Sequence, residues 1–129
     1  MLHIAFALLI LPGSAPIEAS AQVPDTRPQI EVTAPKDAAN VRALNEALDT
    51  LIDKVVDCPA PGPARDACVC KQQDLIGKLR AAHAQVLKDH PEWKDRQLSY
   101  KYEGKDGKPM SGVMVMPTMQ RQIDRLTCK

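Results

Sequence analysis

Four cysteines, Cys58, Cys68, Cys70 and Cys128, follow an apolar N-terminal run in a chain of 129 residues. No other feature narrows the possible folds as much. Ile4 to Ile10 reads IAFALLI, Pro12 and Gly13 follow, and Ala19-Ser20-Ala21 supplies a small-x-small cleavage site. Such a run is too short to span a bilayer and has the form that a signal peptidase accepts. Residues 1–21 are therefore expected to be a signal peptide, with a periplasmic or extracellular mature chain starting at Gln22. The stretch before the run carries His3 and no Lys or Arg, unlike a usual signal. In an oxidising compartment, an even cysteine set in a small chain is a disulfide framework.

Removing 21 of 129 residues leaves 108, enough for one small domain. Lys+Arg number 17 and Asp+Glu 16, and the signs alternate along the chain, so no basic stripe recommends nucleic acid as a partner. No second apolar stretch is long enough to cross a membrane. Trp93, Tyr100 and Tyr102 are the only aromatic residues beyond Phe6. The helices must therefore pack on Leu, Val, Ile and Ala, and a small core of that kind benefits from covalent staples.

Residues 22–36 hold Pro24, Pro28 and Pro35 and read as a flexible leader. Within them Gln29 to Pro35 is QIEVTAP. This resembles the TonB box of outer-membrane receptors, a short segment of roughly IxVTA type. The resemblance implies an extended segment that donates a strand to a sheet edge. The remaining chain is too short for the receptors' barrel.

Residues 37–129 are expected to form the folded domain. Val41, Leu44, Leu48, Leu51, Ile52 and Val55 make one stripe at helical spacing, so a first helix is expected from about Asp37 or Asn40 to Asp57, with Asn40 able to cap it and Cys58-Pro59 as the stop. A second helix is expected from Arg65 or Asp66 to Asp89, ended by Pro91, with Cys68, Leu75, Ile76, Leu79, Ala82, Val86 and Leu87 on one face. Beyond His90 the period changes. Leu98, Tyr100 and Tyr102 alternate with polar residues, and Asp106-Gly107 signals a two-residue hairpin turn. That turn pairs Lys105 with Lys108, so Tyr100 would face Val113 and Leu98 would face Val115. A last helix is expected over Thr118 to Cys128. The fold class is α+β, mainly α: a disulfide-stapled antiparallel helical hairpin, a β-hairpin and a short C-terminal helix.

Joining Cys68 to Cys70 would strain a very tight loop. On one continuous helix Cys68 shares the face of Leu75 and Leu79, and Cys70 points nearly the other way. That geometry favours Cys58–Cys70 with Cys68–Cys128, and the exchanged pairing is almost as well placed.

The chain carries no nucleophile elbow, phosphate-binding loop, dinucleotide fingerprint or His-Glu-x-x-His zinc motif. Ser99 and Ser111 have no neighbouring histidine, and the carboxylates are spread over helix faces. No enzyme is expected. Two functional readings follow. The first is an exported, non-catalytic binding or inhibitory protein whose partner is another envelope or secreted protein. Trp93, Tyr100 and Tyr102 are its candidate interface, since such residues are frequent anchors at interfaces, and their competing role is to form a small core under the β-hairpin. The second is an envelope protein that binds copper or handles thiols. Met110, Met114, Met116 and Met119 supply soft thioethers suited to Cu(I), and His83 and His90, seven apart, share a helix face. Cys68-Val69-Cys70 would be its thiol motif. The competing role for the methionines is to fill irregular core space where aromatics are few.

Overall fold

A computed structural model describes residues 27–128 of the chain. The expected signal peptide, residues 1–21, and the start of the expected leader lie outside the described residues. The elements run in the order β1 (Gln29–Val32), α1 (Pro35–Val55), α2 (Pro63–Cys70), α3 (Gln73–Asp89), a 3-10 turn (Pro91–Asp95), β2 (Gln97–Glu103), β3 (Pro109–Val115) and α4 (Met116–Arg125). The chain is mainly helical with a three-stranded mixed sheet. No helix among the described residues is long and apolar enough to cross a membrane.

The segment expected to be a flexible leader supplies a strand. Gln29–Val32 pairs in parallel with β2, placing Ile30 beside Leu98 and Val32 beside Tyr100. The reason is burial: Val32 becomes part of the core and Ile30 packs against it. The folded unit thus begins ahead of residue 37. The QIEV of the TonB-box-like segment completes the chain's own sheet.

α1 starts earlier than expected. Pro35 occupies its first turn after an extended Ala34, a position where proline's missing N–H costs nothing. Asn40 is therefore inside the helix. Its amide donates to Asp89 Oδ2 (3.3 Å) at the far end of α3. Lys36 pairs with the same carboxylate at 3.0 Å. The N-terminus of α1 thus lies beside the C-terminus of α3, and the two helices run antiparallel. Val41, Leu44 and Leu51 bury against Ile76, Leu79 and Val86.

The expected second helix is two helices. Backbone N–H groups of Lys71 and Gln72 donate to Cys68 and Val69, closing α2 with three-residue spacing. Gln72 leaves the helical region, and α3 starts afresh at Gln73. This break resets the helical phase, so the shared face of Cys68 with Leu75 and Leu79 does not exist. The bridges are accordingly Cys58–Cys68 and Cys70–Cys128, the exchanged pairing.

The hairpin also departs from expectation, by one residue. Gly104 N–H donates to Lys108 O (2.7 Å) and Gly107 N–H to Gly104 O (3.0 Å). Gly107 has φ +73°, a left-handed conformation that glycine adopts without strain. This is a three-residue loop ending in a glycine bulge, rather than a two-residue turn. Tyr100 consequently stands opposite Gly112, and Leu98 opposite Met114. A one-residue slip exchanges the two faces of a strand. Val113 therefore points outward, 53 % exposed, and Met114 enters the core.

Leu98 is fully buried between Ile30 and Met114 on the face turned to the helices. α4 begins immediately at Met116, ahead of the expected Thr118, and ends at Arg125 rather than Cys128. Its buried side is Met116, Met119 and Ile123. Arg80 Nη2 of α3 donates to the carbonyls of Ile123 (3.3 Å) and Leu126 (2.8 Å), satisfying the end of α4.

Candidate functional site

The aromatic trio divides. Trp93 belongs to the 3-10 turn and is buried in the core, stacked on His90 with ring centroids 3.8 Å apart. Tyr100 and Tyr102 stand two residues apart on the inward face of β2 and stack at 5.6 Å. Tyr100 lies across Gly112: a Cβ there would come within 2.6 Å of its hydroxyl, so only hydrogen fits. Tyr102 reaches α1, where its hydroxyl accepts a hydrogen bond from Asn45 Nδ2 (3.4 Å).

Tyr102 forms one wall of a cleft of about 280 Å³ between α1 and the hairpin loop. Glu46, Asp49 and Asp53 line the helical side, and Asp106 and Met110 the hairpin side. Four carboxylates face one ammonium, that of Lys105. Glu46 is held by Arg42 at 2.8 Å, and Asp106 lies 3.7 Å from Lys108. Asp49 and Asp53, one turn apart, have no ion-pair partner among the described residues. The Tyr102 hydroxyl titrates above its ordinary value. Burial is the first cause, opposed by the Asn45 hydrogen bond and reinforced by Tyr100, Asp49 and Glu46. An acidic cleft with a tyrosine face and an exposed thioether suits a cationic side chain resting on the ring.

Sequence reading named Tyr100, Tyr102 and Met110 but missed the acidic wall. Glu46, Asp49 and Asp53 looked like an ordinary solvated face. Their three- and four-residue spacing was the available signal, and only the tertiary fold shows what stands opposite them.

The methionines scatter. Met114, Met116 and Met119 are buried in the core, and of the methionines among the described residues Met110 alone, 46 % exposed, reaches the surface. Met110 and Met114 share a strand face, whereas Met116 has left the strand and opens α4. His83 is buried, and its Nε2 has no hydrogen-bond partner. His90 caps α3 outside the helix, so the expected shared face with His83 is lost. Cys68 and Cys70 are bonded to different cysteines, and no cysteine is free. Among the described residues, no group of three or more His, Cys, Asp or Glu is placed to hold a metal ion. Neither Ser99 nor Ser111 is hydrogen-bonded to a histidine among the described residues.

The two histidines act on stability in opposite senses. His90 Nε2 is 2.9 Å from Asp37 Oδ1, and Nδ1 is 3.3 Å from Glu92 Oε1. Burial lowers its pKa, but Asp37 and Glu92 outweigh that and raise it above the ordinary 6.5. A raised folded value means that the contribution is complete below 6.5 and is lost as pH rises through the folded value. His83 is the reverse. Burial, only partly opposed by Asp124, holds its ring neutral. Stability is then retained above 6.5 and falls as the unfolded chain takes up a proton below it. Urea midpoints for wild type and Asp37→Asn from pH 5.5 to 8.5 should therefore converge toward the alkaline end. A constant difference across the range would show that Asp37 acts without His90.

No family model, curated protein or solved structure matches this chain.

Proposed function

We propose that the chain is an exported, non-catalytic recognition protein that binds a cationic segment of another envelope or secreted protein. The observation carrying this reading is the α1–hairpin cleft, where Tyr102 and Met110 add apolar surface to a lining that holds Glu46, Asp49, Asp53 and Asp106. Tyrosine supplies large contact area at small conformational cost, and the carboxylates select the sign of the partner. Both bridges are compatible with an oxidising compartment. The helices behind the cleft are held together through Asn40, Lys36 and Asp89, which suits a preformed binding surface.

Capture from an envelope extract, with the immobilised protein in both wild-type and Tyr102→Ser form, tests this. The expected result is a partner retained by wild type and weakened at least about tenfold by the substitution, at a temperature where unfolding midpoints show both forms folded. Asp49→Asn with Asp53→Asn should reduce the salt sensitivity of capture. Identical capture by wild type and Tyr102→Ser would sink the reading. An intact mass of the secreted chain starting at Gln22, with no alkylatable thiol before reduction, tests the export.

A further inference from the structure

A second cavity, sharing no lining residue with the acidic cleft, lies where the end of α1, α2 and the C-terminal segment meet. Its volume is about 400 Å³. Small-molecule sites run from about 300 to 1,000 Å³, so this one suits a small ligand. Leu51 and Val55 of α1, Val69 of α2 and Leu126 form its apolar lining. The Cys70–Cys128 bridge closes one side and fixes the C-terminal segment against α2.

The charged groups at this cavity are Arg65, Arg125 and Asp66, and Thr127 adds a neutral hydroxyl. Arg65 Nη1 donates to the carbonyls of Pro59 (3.1 Å) and Cys58 (3.5 Å), which anchors one guanidinium. The Arg125 side chain, exposed at the end of α4, has no hydrogen bond or ion pair among the described residues. Two guanidinium groups against one carboxylate leave a positive balance. The opening turn of α2 adds the partial positive charge of a helix N-terminus. The charge favours an anion. The apolar lining disfavours a small hydrated anion and favours one that carries hydrocarbon.

We propose that this cavity binds a single-chain amphipathic carboxylate, with the alkyl chain on Leu51, Val55, Val69 and Leu126 and the carboxylate at Arg125 and Arg65. Guanidinium groups take carboxylates through paired N–H donors, which favours this headgroup. The volume accommodates one chain, so a two-chain lipid does not enter whole.

Decanoate, kept below its micelle concentration, is the probe, titrated calorimetrically and by amide NMR into the exported chain with both bridges formed. Expected are saturable one-to-one binding and shifts centred on the amides of Leu51, Val69 and Leu126. Arg125→Gln should weaken binding at least about fivefold, since a charge-assisted contact is lost. Decylamine, with the same chain and the opposite charge, should bind more weakly by a similar factor. Val69→Asp should abolish decanoate binding, with the unfolding midpoint checking its fold. Arg125→Gln is a surface change and keeps the test decisive if Val69→Asp misfolds. Non-saturable binding, equal affinity for decylamine, or an unchanged affinity in Arg125→Gln would each overturn the proposal.

Discussion

Replacing Cys70 and Cys128 by serine is expected to lower stability by about 4 kcal/mol, more than the same change at Cys58 and Cys68. The first bridge closes a sequence separation of 58 and the second one of 10. Loop-closure entropy grows with the logarithm of loop length, which puts the short bridge at roughly 2.5–3 kcal/mol. The folded state of the long-loop variant should keep α4 in place. Met116, Met119 and Ile123 remain buried, and Arg80 still binds the carbonyls of Ile123 and Leu126. Its loss therefore acts mainly through a freer unfolded chain. Urea unfolding of the two double-serine variants checks this. The Cys70/Cys128 variant should show the lower midpoint and a steeper dependence on urea, because its unfolded chain exposes more surface. If the Cys58/Cys68 variant is the less stable, packing around the α1–α2 connection outweighs loop entropy.

What the sequence made legible follows from how local each determinant is. The stripe from Val41 to Val55 is a property of one helix: Val41, Leu44 and Leu51 are buried where periodicity places them, Leu48 and Val55 partly so, and Ile52 at its edge is 48 % exposed. Pro91 ends α3 for an equally local reason. The mainly helical α+β class, the two disulfides and the β-hairpin were readable on that basis. The errors arise where one residue of phase carries through to distant partners. In the hairpin, a bulge at Gly107 in place of a two-residue turn moved every cross-strand pair and exchanged Val113 for Met114 in the core. At Lys71-Gln72 a helix break changed which cysteine meets which. The extended character of Gln29–Val32 is legible in QIEVTAP, but its place in the chain's own sheet is not, since its partner β2 lies far along the chain. For the same reason the acidic wall of the cleft looked like solvated helix until Tyr102 and Met110 were set opposite it.

Leu98→Ala is expected to destabilise the fold by about 2–5 kcal/mol, the range for deleting a fully buried leucine side chain. Its position argues for the upper half of that range. β2 is the central strand, and Leu98 is flanked by Ile30 on one side and Met114 on the other. It belongs to the same core as Leu44, Leu79 and Met116, the other large side chains with no exposed surface. Neighbours held in a hydrogen-bonded sheet cannot collapse inward easily, so a cavity persists. The outward-facing Val113 is the control: Val113→Ala should change stability by no more than about 0.5 kcal/mol. Urea midpoints of the two variants decide the matter. Equal effects would show that the observed hairpin register is wrong, because the register expected from a two-residue turn sets Leu98 beside Val115 and keeps Val113 on the inward face beside Tyr100. A domain of this size has a total stability of only about 5–15 kcal/mol. The Leu98 variant therefore tests whether the sheet is an integral part of the helical core or a separable appendage. An appendage would unfold first, in a separate transition at lower urea, whereas one shared core loses stability in a single cooperative step.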